Sequence, residues 1–404
     1  MTDLIIIGGG AAGLAAAVEA KRINTDLFVT VIEKNDRVAK KIAVTGNGRC
    51  NISNRNITPD NYHGENRGFS DYALKRFDLS DTERFFISLG VPFTEGENGK
   101  LYPYSLQASS VGDALRRGAE ALGTEIITGE EITKIEKTDY GFSLCSEEKT
   151  YSARAVIIAA GGMAGGKLGT DTGYRLLRSL SHTVSDLTPN IVQIKCESPY
   201  LRALKGNKVQ ASVTLKYQKS EYKDKGEVLF CDYGLSGPPI MQLSRYAKTG
   251  AVISIDLLPE IPQNELEKML TQRTENLSGK SENYFCGLLR TRIGQAVLKS
   301  AEVDFNSDIK LLKGREKQLA GIIKAFPFSV TGKLGFRDAQ VTGGGAKTDL
   351  FSDKTLMSKI HKGLFAAGEI LDVDGDCGGY NLQWAWSSGR LAAKSAAEYL
   401  RGIK

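Results

Sequence analysis

An apolar run, Leu4-Ile5-Ile6-Ile7, breaks directly into Gly8-Gly9-Gly10-Ala11-Ala12-Gly13. Strong helix formers follow in Leu14-Ala15-Ala16-Ala17, and a second apolar run, Phe28–Ile32, ends in Glu33. This order predicts strand, tight turn, helix, strand and acid, the dinucleotide-binding fingerprint in its structural context. Farther along, helical periodicity is expected around Tyr72–Phe77, Thr82–Leu89 and Ser110–Leu122. Asn98-Gly99 reads as a hairpin turn returning into Lys100–Tyr104. Glu125–Thr128, Ile132–Lys137, Gly141–Cys145 and Ala155–Ala160 read as strands, the last meeting Gly161-Gly162.

From residue 190 the pattern changes. Val209–Tyr217 and Val252–Leu257 alternate with period two, whereas residues 263–325 are helical, and Phe326–Phe336 is β-like again. Gly363–Ala367 is a short strand, and Leu382–Leu400 a long helix. The expected fold class is α/β: a Rossmann-like dinucleotide domain (1–189 and 341–404) with an inserted β domain (190–257 and 326–340) and an inserted helical domain (258–325).

Composition narrows the function classes. The 404 residues are 41% hydrophobic and 25% charged, and no apolar run reaches the length of a membrane span. Met1-Thr2-Asp3 leads straight into the first strand, so a cytoplasmic protein without a cleaved signal is expected. The six cysteines form no CxxC pair and, with only three histidines, no metal site is expected. The net charge of +6 is uneven: residues 195–225 hold eight Lys/Arg against three acids. That excess reads either as a solvated basic face or as a surface for an anionic partner such as RNA.

Three blocks carry the chemistry. In the first, Gly8 permits the turn, Gly10 lets backbone approach a pyrophosphate, and Gly13 lets the helix pack on the strand. Ala11 and Ala12 open the helix whose free N–H groups face the phosphates, and Glu33 is placed for ribose hydroxyls. The second block is Lys40–Asn51. Its Gly46 and Gly48 allow backbone to lie on a flat ring, Arg49 offers a charged fork, and Asn47 and Asn51 offer amides; an irregular structural loop is the alternative. The third, Gly368–Trp384, lacks the terminal Glu of an EF-hand loop. It reads instead as a strand end and helix N-terminus, with Gly379 at the junction, directed at the polar edge of a flavin.

Taken together, these blocks resemble the BaiN/RdsA-like family of FAD-dependent oxidoreductases, within the two-dinucleotide-binding flavoprotein superfamily. The resemblance rests on Thr45–Asn51, Gly226-Glu227 with Tyr233–Pro238, Val341–Gly345, and Gly368–Asp372 with Gly378–Ala385. Two departures from the family pattern are visible: Asn47 stands where Gly is common, and Cys231-Asp232 where Thr-His is frequent. The resemblance implies FAD held by Gly8, Gly10, Ala12, Gly13, Glu33, Lys34, Lys41, Thr45, Gly46, Arg49, Cys50, Asn51, Ile132, Ala160, Gly161, Gly368, Glu369, Asn381 and Leu382. It also implies reduction of a carbonyl-conjugated C=C bond, either a uridine of 23S ribosomal RNA or a bile-acid or steroid enone.

The chain contains no second complete GxGxxG-plus-acid unit, so NAD(P)H is expected as a transient electron donor. Cys50 is a candidate proton donor or a packing residue, with Arg49, Tyr233 and Tyr380 as competing acids or oxyanion donors. Trp384 and Trp386 read as core. An RNA substrate would use Lys205, Lys208, Lys216 and Lys219 on phosphates, whereas a small enone needs an apolar pocket. A flavoprotein without catalysis, serving as a redox sensor, is the alternative from another class.

Overall fold

The computed structural model describes residues 1–402. The chain divides into two compact units, one formed by residues 1–189 with 340–402 and the other by residues 190–339.

The first unit is built on a mixed sheet. Its parallel strands stand in the order Glu125–Thr128, Val29–Glu33, Thr2–Ile7, Thr150–Ile158, with Leu364–Ala366 beyond. Leu4, Ile5 and Ile6 pair in register with Val29, Thr30 and Val31 on one side and with Ala155, Val156 and Ile157 on the other. Such continuous apolar runs suit strands covered on both faces, and these residues are almost wholly buried. The antiparallel strands Gly141–Cys145 and Lys134–Thr138 extend the edge beside Thr150–Ile158. Several elements begin earlier than the hydropathy pattern predicts. Leu79–Ile87 is one such helix, because the Asp78 side chain accepts from the Asp81 N–H and caps it.

Two helices frame the first strand end. Ala11–Ile23 follows it, and Tyr380–Gly402 lies across that helix. Their approach is set by backbone: a Cβ on Gly389 would stand 2.3 Å from the Ala12 carbonyl oxygen. Trp384 and Trp386 are buried, and their indole N–H groups donate to the carbonyls of Gly368 (3.2 Å) and Ile52 (3.0 Å).

The second unit contains a closed six-stranded antiparallel barrel. Its strands run in the order Ile194–Glu197, Gly234–Ser236, Ser220–Phe230, Lys208–Tyr217, Val252–Asp256, Phe326–Lys333, and the last closes on the first. Ala211, Val213 and Leu215 alternate inward, as the period-two pattern requires. Helices Gln263–Asn276, Thr291–Ser300 and Glu316–Lys324 supply Leu266, Leu270, Val297 and Ile323 to the same apolar core. Barrel and helices in this unit therefore share one core. Among the described residues, no helix is long and apolar enough to cross a membrane, and no cluster of three or more His, Cys, Asp or Glu is placed to hold a metal.

Gly389 and Gly321 make a paired test of this packing. Gly389→Ala forces a methyl group against backbone and is expected to lower unfolding stability by about 1–3 kcal/mol. Gly321→Ala, in helix Glu316–Lys324 with open space around it, is expected to raise stability by about 0.5–1 kcal/mol. Denaturant unfolding of both variants measures the difference. A Gly389→Ala protein as stable as the parent would show that the helix crossing is not set by this contact.

Candidate functional site

The site is built at the carboxyl ends of the parallel strands of the first unit. Gly8 lies at φ +105°, and a Cβ there would meet the Ala159 carbonyl oxygen at 2.5 Å, so the turn admits only glycine. A Cβ on Gly13 would fall 1.9 Å from the Gly8 oxygen, so Gly13 serves helix-to-strand packing. Gly10 differs from both: it is extended, and nothing lies within 4 Å of its would-be Cβ. The helix it opens has no side-chain cap. Space beside Gly10 and the helix's first-turn N–H groups are what a pyrophosphate requires.

Glu33 ends the second strand almost fully buried. One carboxylate oxygen accepts from the Gly9 N–H (2.8 Å), the other from the Asn35 N–H (2.8 Å). The expected ribose acceptor therefore also braces the glycine turn, with lone pairs left for hydroxyl donors.

The block 40–51 is a compact reversal. Gly46, Asn47, Gly48 and Cys50 all have positive φ, from 55° to 81°. Asn is among the side chains that tolerate this region, which accounts for Asn47 at a position where glycine is common. Thr45 Oγ1 donates to the Ile42 carbonyl and the Cys50 N–H to the Thr45 carbonyl. Asn47, Gly48 and Arg49 are exposed, with the Arg49 guanidinium 4.9 Å from the Tyr102 ring centre. Cys50 is wholly buried, and burial pushes its thiol up to about 12. Its side chain has no solvent-exposed surface.

Asn51 carries the telling atom. Its Oδ1 is buried without a hydrogen-bond partner, and a Cβ on Gly379 would lie 2.9 Å from it. A buried acceptor left unpaired is costly unless a ligand N–H reaches it.

Lys41 Nζ pairs with Glu369 Oε2 at 2.5 Å, and the other Glu369 oxygen accepts from the Thr342 N–H (2.8 Å). This pair ties the second block to the third. Lys34 Nζ reaches the Gly169 carbonyl at 3.5 Å. Ala160 and Gly161 continue from the central strand, and Gly161 has open space where a side chain would be. Gly368, at φ +77°, lies against Ala12 and donates to Ser388 Oγ (2.9 Å). Ile132 is buried in the core.

In the third block, Asn381 turns inward. Its Oδ1 accepts from the Gly375 N–H (2.7 Å) and its Nδ2 donates to the Gly375 carbonyl (2.9 Å), so the amide shapes its own segment. Tyr380 is buried, its phenol raised by burial, and its carbonyl accepts from the Tyr62 hydroxyl (3.2 Å). Leu382 is half-buried on the same helix turn. In the second unit, Tyr233 is partly exposed and its phenol is raised, mainly by burial and by a hydrogen bond with Cys231.

Sequence reasoning passed over three supports. Asn54 Nδ2 donates to the Gly378 carbonyl (2.8 Å). Gln383 joins Ser53, Thr82, Ser387 and the Phe77 carbonyl in a buried network. His63 Nε2 meets Asp376 Oδ1 at 2.7 Å. Their partners lie up to 330 residues apart in sequence, so no local pattern marks them. The basic strands also differ from a free phosphate-binding surface: Lys205, Lys208 and Lys216 pair with Asp232, Glu227 and Glu221 at 2.6–2.9 Å.

The uncapped helix, the vacant space at Gly10 and Gly161, and the orphaned Asn51 acceptor fit an adenine dinucleotide carrying a flat ring with N–H groups. The family described as "HI0933-like protein Rossmann domain" matches residues 2–395. The chain is 35% identical to "3-dehydro-bile acid delta(4,6)-reductase" of Clostridium scindens, over 98% of this chain and 100% of the relative. It is 30% identical to "Ribosomal RNA dihydrouridine synthase" of Haemophilus influenzae, over 98% of each. Among solved structures, the 3-ketosteroid-delta4-(5alpha)-dehydrogenase of Rhodococcus jostii RHA1 shares the fold, with a TM-score of 0.51 and 16% identity over 98% of this chain and 96% of that one.

Gly10 separates a role in binding from one in folding. Gly10→Val places its side chain in open space, so the flavin-free melting temperature is expected to stay at the parental value. FAD affinity, by fluorescence titration, is expected to fall at least tenfold, about 1.4 kcal/mol. Unchanged affinity would remove the pyrophosphate from this turn.

Proposed function

The chain belongs to the HI0933-like Rossmann-domain family, and on that premise we propose that it is an FAD-dependent reductase converting uridine of 23S ribosomal RNA to dihydrouridine. Gly10 and the helix Ala11–Ile23 hold the pyrophosphate, and Glu33 accepts from the adenosine ribose. Asn51 Oδ1 accepts from the ring edge, and the Lys41–Glu369 pair keeps the two flanking blocks in register. FAD, when bound and reduced by NAD(P)H, supplies a hydride for the β-carbon of a C=C bond conjugated to a carbonyl. Arg49, exposed on its loop, offers its charge to the carbonyl oxygen as negative charge develops there. With no second nucleotide-binding unit in the sequence, NAD(P)H visits the site transiently.

One observation supports RNA over a small substrate. Residues 190–339 hold 23 Lys/Arg against 16 Asp/Glu, an excess of seven that accounts for the whole positive balance of the chain. Such a unit attracts a polyanion through long-range charge, even where individual lysines are paired. The pairing of Lys205, Lys208 and Lys216, and the bile-acid activity in the name of the 35% identical relative, favour the second reading, a small steroid-like enone.

Mass spectrometry of 23S ribosomal RNA from a strain lacking the gene decides between them. Dihydrouridine is expected to fall, to return with the intact gene, and not to return with an Arg49→Ala copy. An unchanged level would remove RNA as the substrate, and turnover of a 4-ene-3-oxo steroid would then establish the second reading. A flavin that neither substrate reoxidises would leave a flavoprotein without this catalysis.

A further inference from the structure

A C=C reductase needs an acid as well as a hydride, and several side chains beside the proposed ring site are poorly suited to supply it. Cys50 is wholly buried. Tyr62 and Tyr380 are buried, and burial raises both phenols. One titratable pair beside them remains partly open.

Tyr62–His63 pairs antiparallel with Asp374–Gly375, placing His63 opposite Asp374 and Tyr62 opposite Gly375. His63 Nε2 lies 2.7 Å from Asp376 Oδ1. Asp376 is itself held: its Oδ2 accepts from Asn61 Nδ2 (3.1 Å), and its N–H donates to the Asn61 carbonyl (2.9 Å). The side chains of His63 and Asp376 are 22% and 16% exposed, so the pair is fixed yet open at one edge. Asp376 stands two residues before Gly378, whose carbonyl Asn54 holds, and three before Gly379, which lies against the unpaired Asn51 oxygen. The pair is thus carried by the segment that shapes the proposed ring site.

We infer that His63 is the proton donor of the reduction and Asp376 its positioning residue, an inference that rests on the flavin-linked reductase reading above. Asp376 accepts the Nε2–H and fixes the ring, so that Nδ1 carries the proton offered to the substrate. The double bond gains a hydride, with its electron pair, at the β-carbon from the reduced flavin. The enolate so formed takes the Nδ1 proton at the α-carbon, two C–H bonds replace the π bond, and the imidazole recovers its proton from water.

The test uses full-length protein loaded with FAD and reduced with dithionite, in parent, His63→Gln, His63→Ala and Asp376→Asn forms. Reoxidation is followed at the flavin band with three oxidants: 23S ribosomal RNA from the deletion strain, a 4-ene-3-oxo steroid, and menadione, whose reduction needs no proton on carbon. His63→Gln is expected to keep its FAD content and menadione rate, and to lose about 100-fold or more with whichever C=C substrate the parent accepts. Asp376→Asn is expected to lose less, and added imidazole to restore part of the His63→Ala rate. A His63→Gln protein as fast as the parent on the C=C substrate overturns the proton-donor role alone. Loss of FAD, or equal slowing with menadione, also overturns it, in favour of a structural role. A parent reoxidised by menadione but by neither C=C substrate overturns the reductase reading and this inference with it.

Discussion

The close approach of backbone to backbone around Ala12 is the constraint on which the dinucleotide site depends. Gly13 lets the first helix sit on the Gly8 carbonyl, and Gly389 lets the last helix lie on the Ala12 carbonyl. Gly368 presses against Ala12 from the returning strand. No side chain fits at these contacts, so the helix N-terminus is held at a fixed distance from two strand ends and the last helix. A rigid, uncapped N-terminus is a preorganised anion site, because its N–H groups need not reorganise when charge arrives.

Around that centre, carboxylates and amides act mainly as braces. Glu33 ties the glycine turn, Glu369 links Lys41 to Thr342, Asn381 folds the 375–381 segment on itself, and Gln383 links loop, helix and C-terminal helix. Residue types that look ligand-like in sequence thus spend much of their hydrogen-bonding capacity on protein. What remains for a ligand is backbone N–H, open space over glycines, the spare lone pairs of Glu33 and the unpaired Oδ1 of Asn51. Such sites take their specificity from shape and backbone, supplemented by a few side chains.

The second unit follows a different logic. A closed barrel removes sheet edges, and helices between its strands complete the same core. Sequence patterns distinguish the β and helical stretches but not their common core, because periodicity reports which face of an element is apolar and not which partner covers it. The charge excess of this unit was legible by counting, whereas the ion pairs that engage several of its lysines were not.

The first βαβ unit, the hairpin at Asn98-Gly99, the alternating barrel strands and the burial of both tryptophans were all legible in the sequence. Each rests on local rules: side-chain period, turn chemistry and glycine conformation act over a few residues. The three glycine-bearing blocks were legible for the same reason. Tertiary structure alone decided that Cys50 is wholly buried, that Asn51 keeps an unpaired oxygen, and that His63 meets Asp376 across more than 300 residues. Burial and hydrogen-bond partnership are properties of the closed fold. They arise when segments far apart in the chain exclude water from one another, and no window of sequence contains both sides of that event.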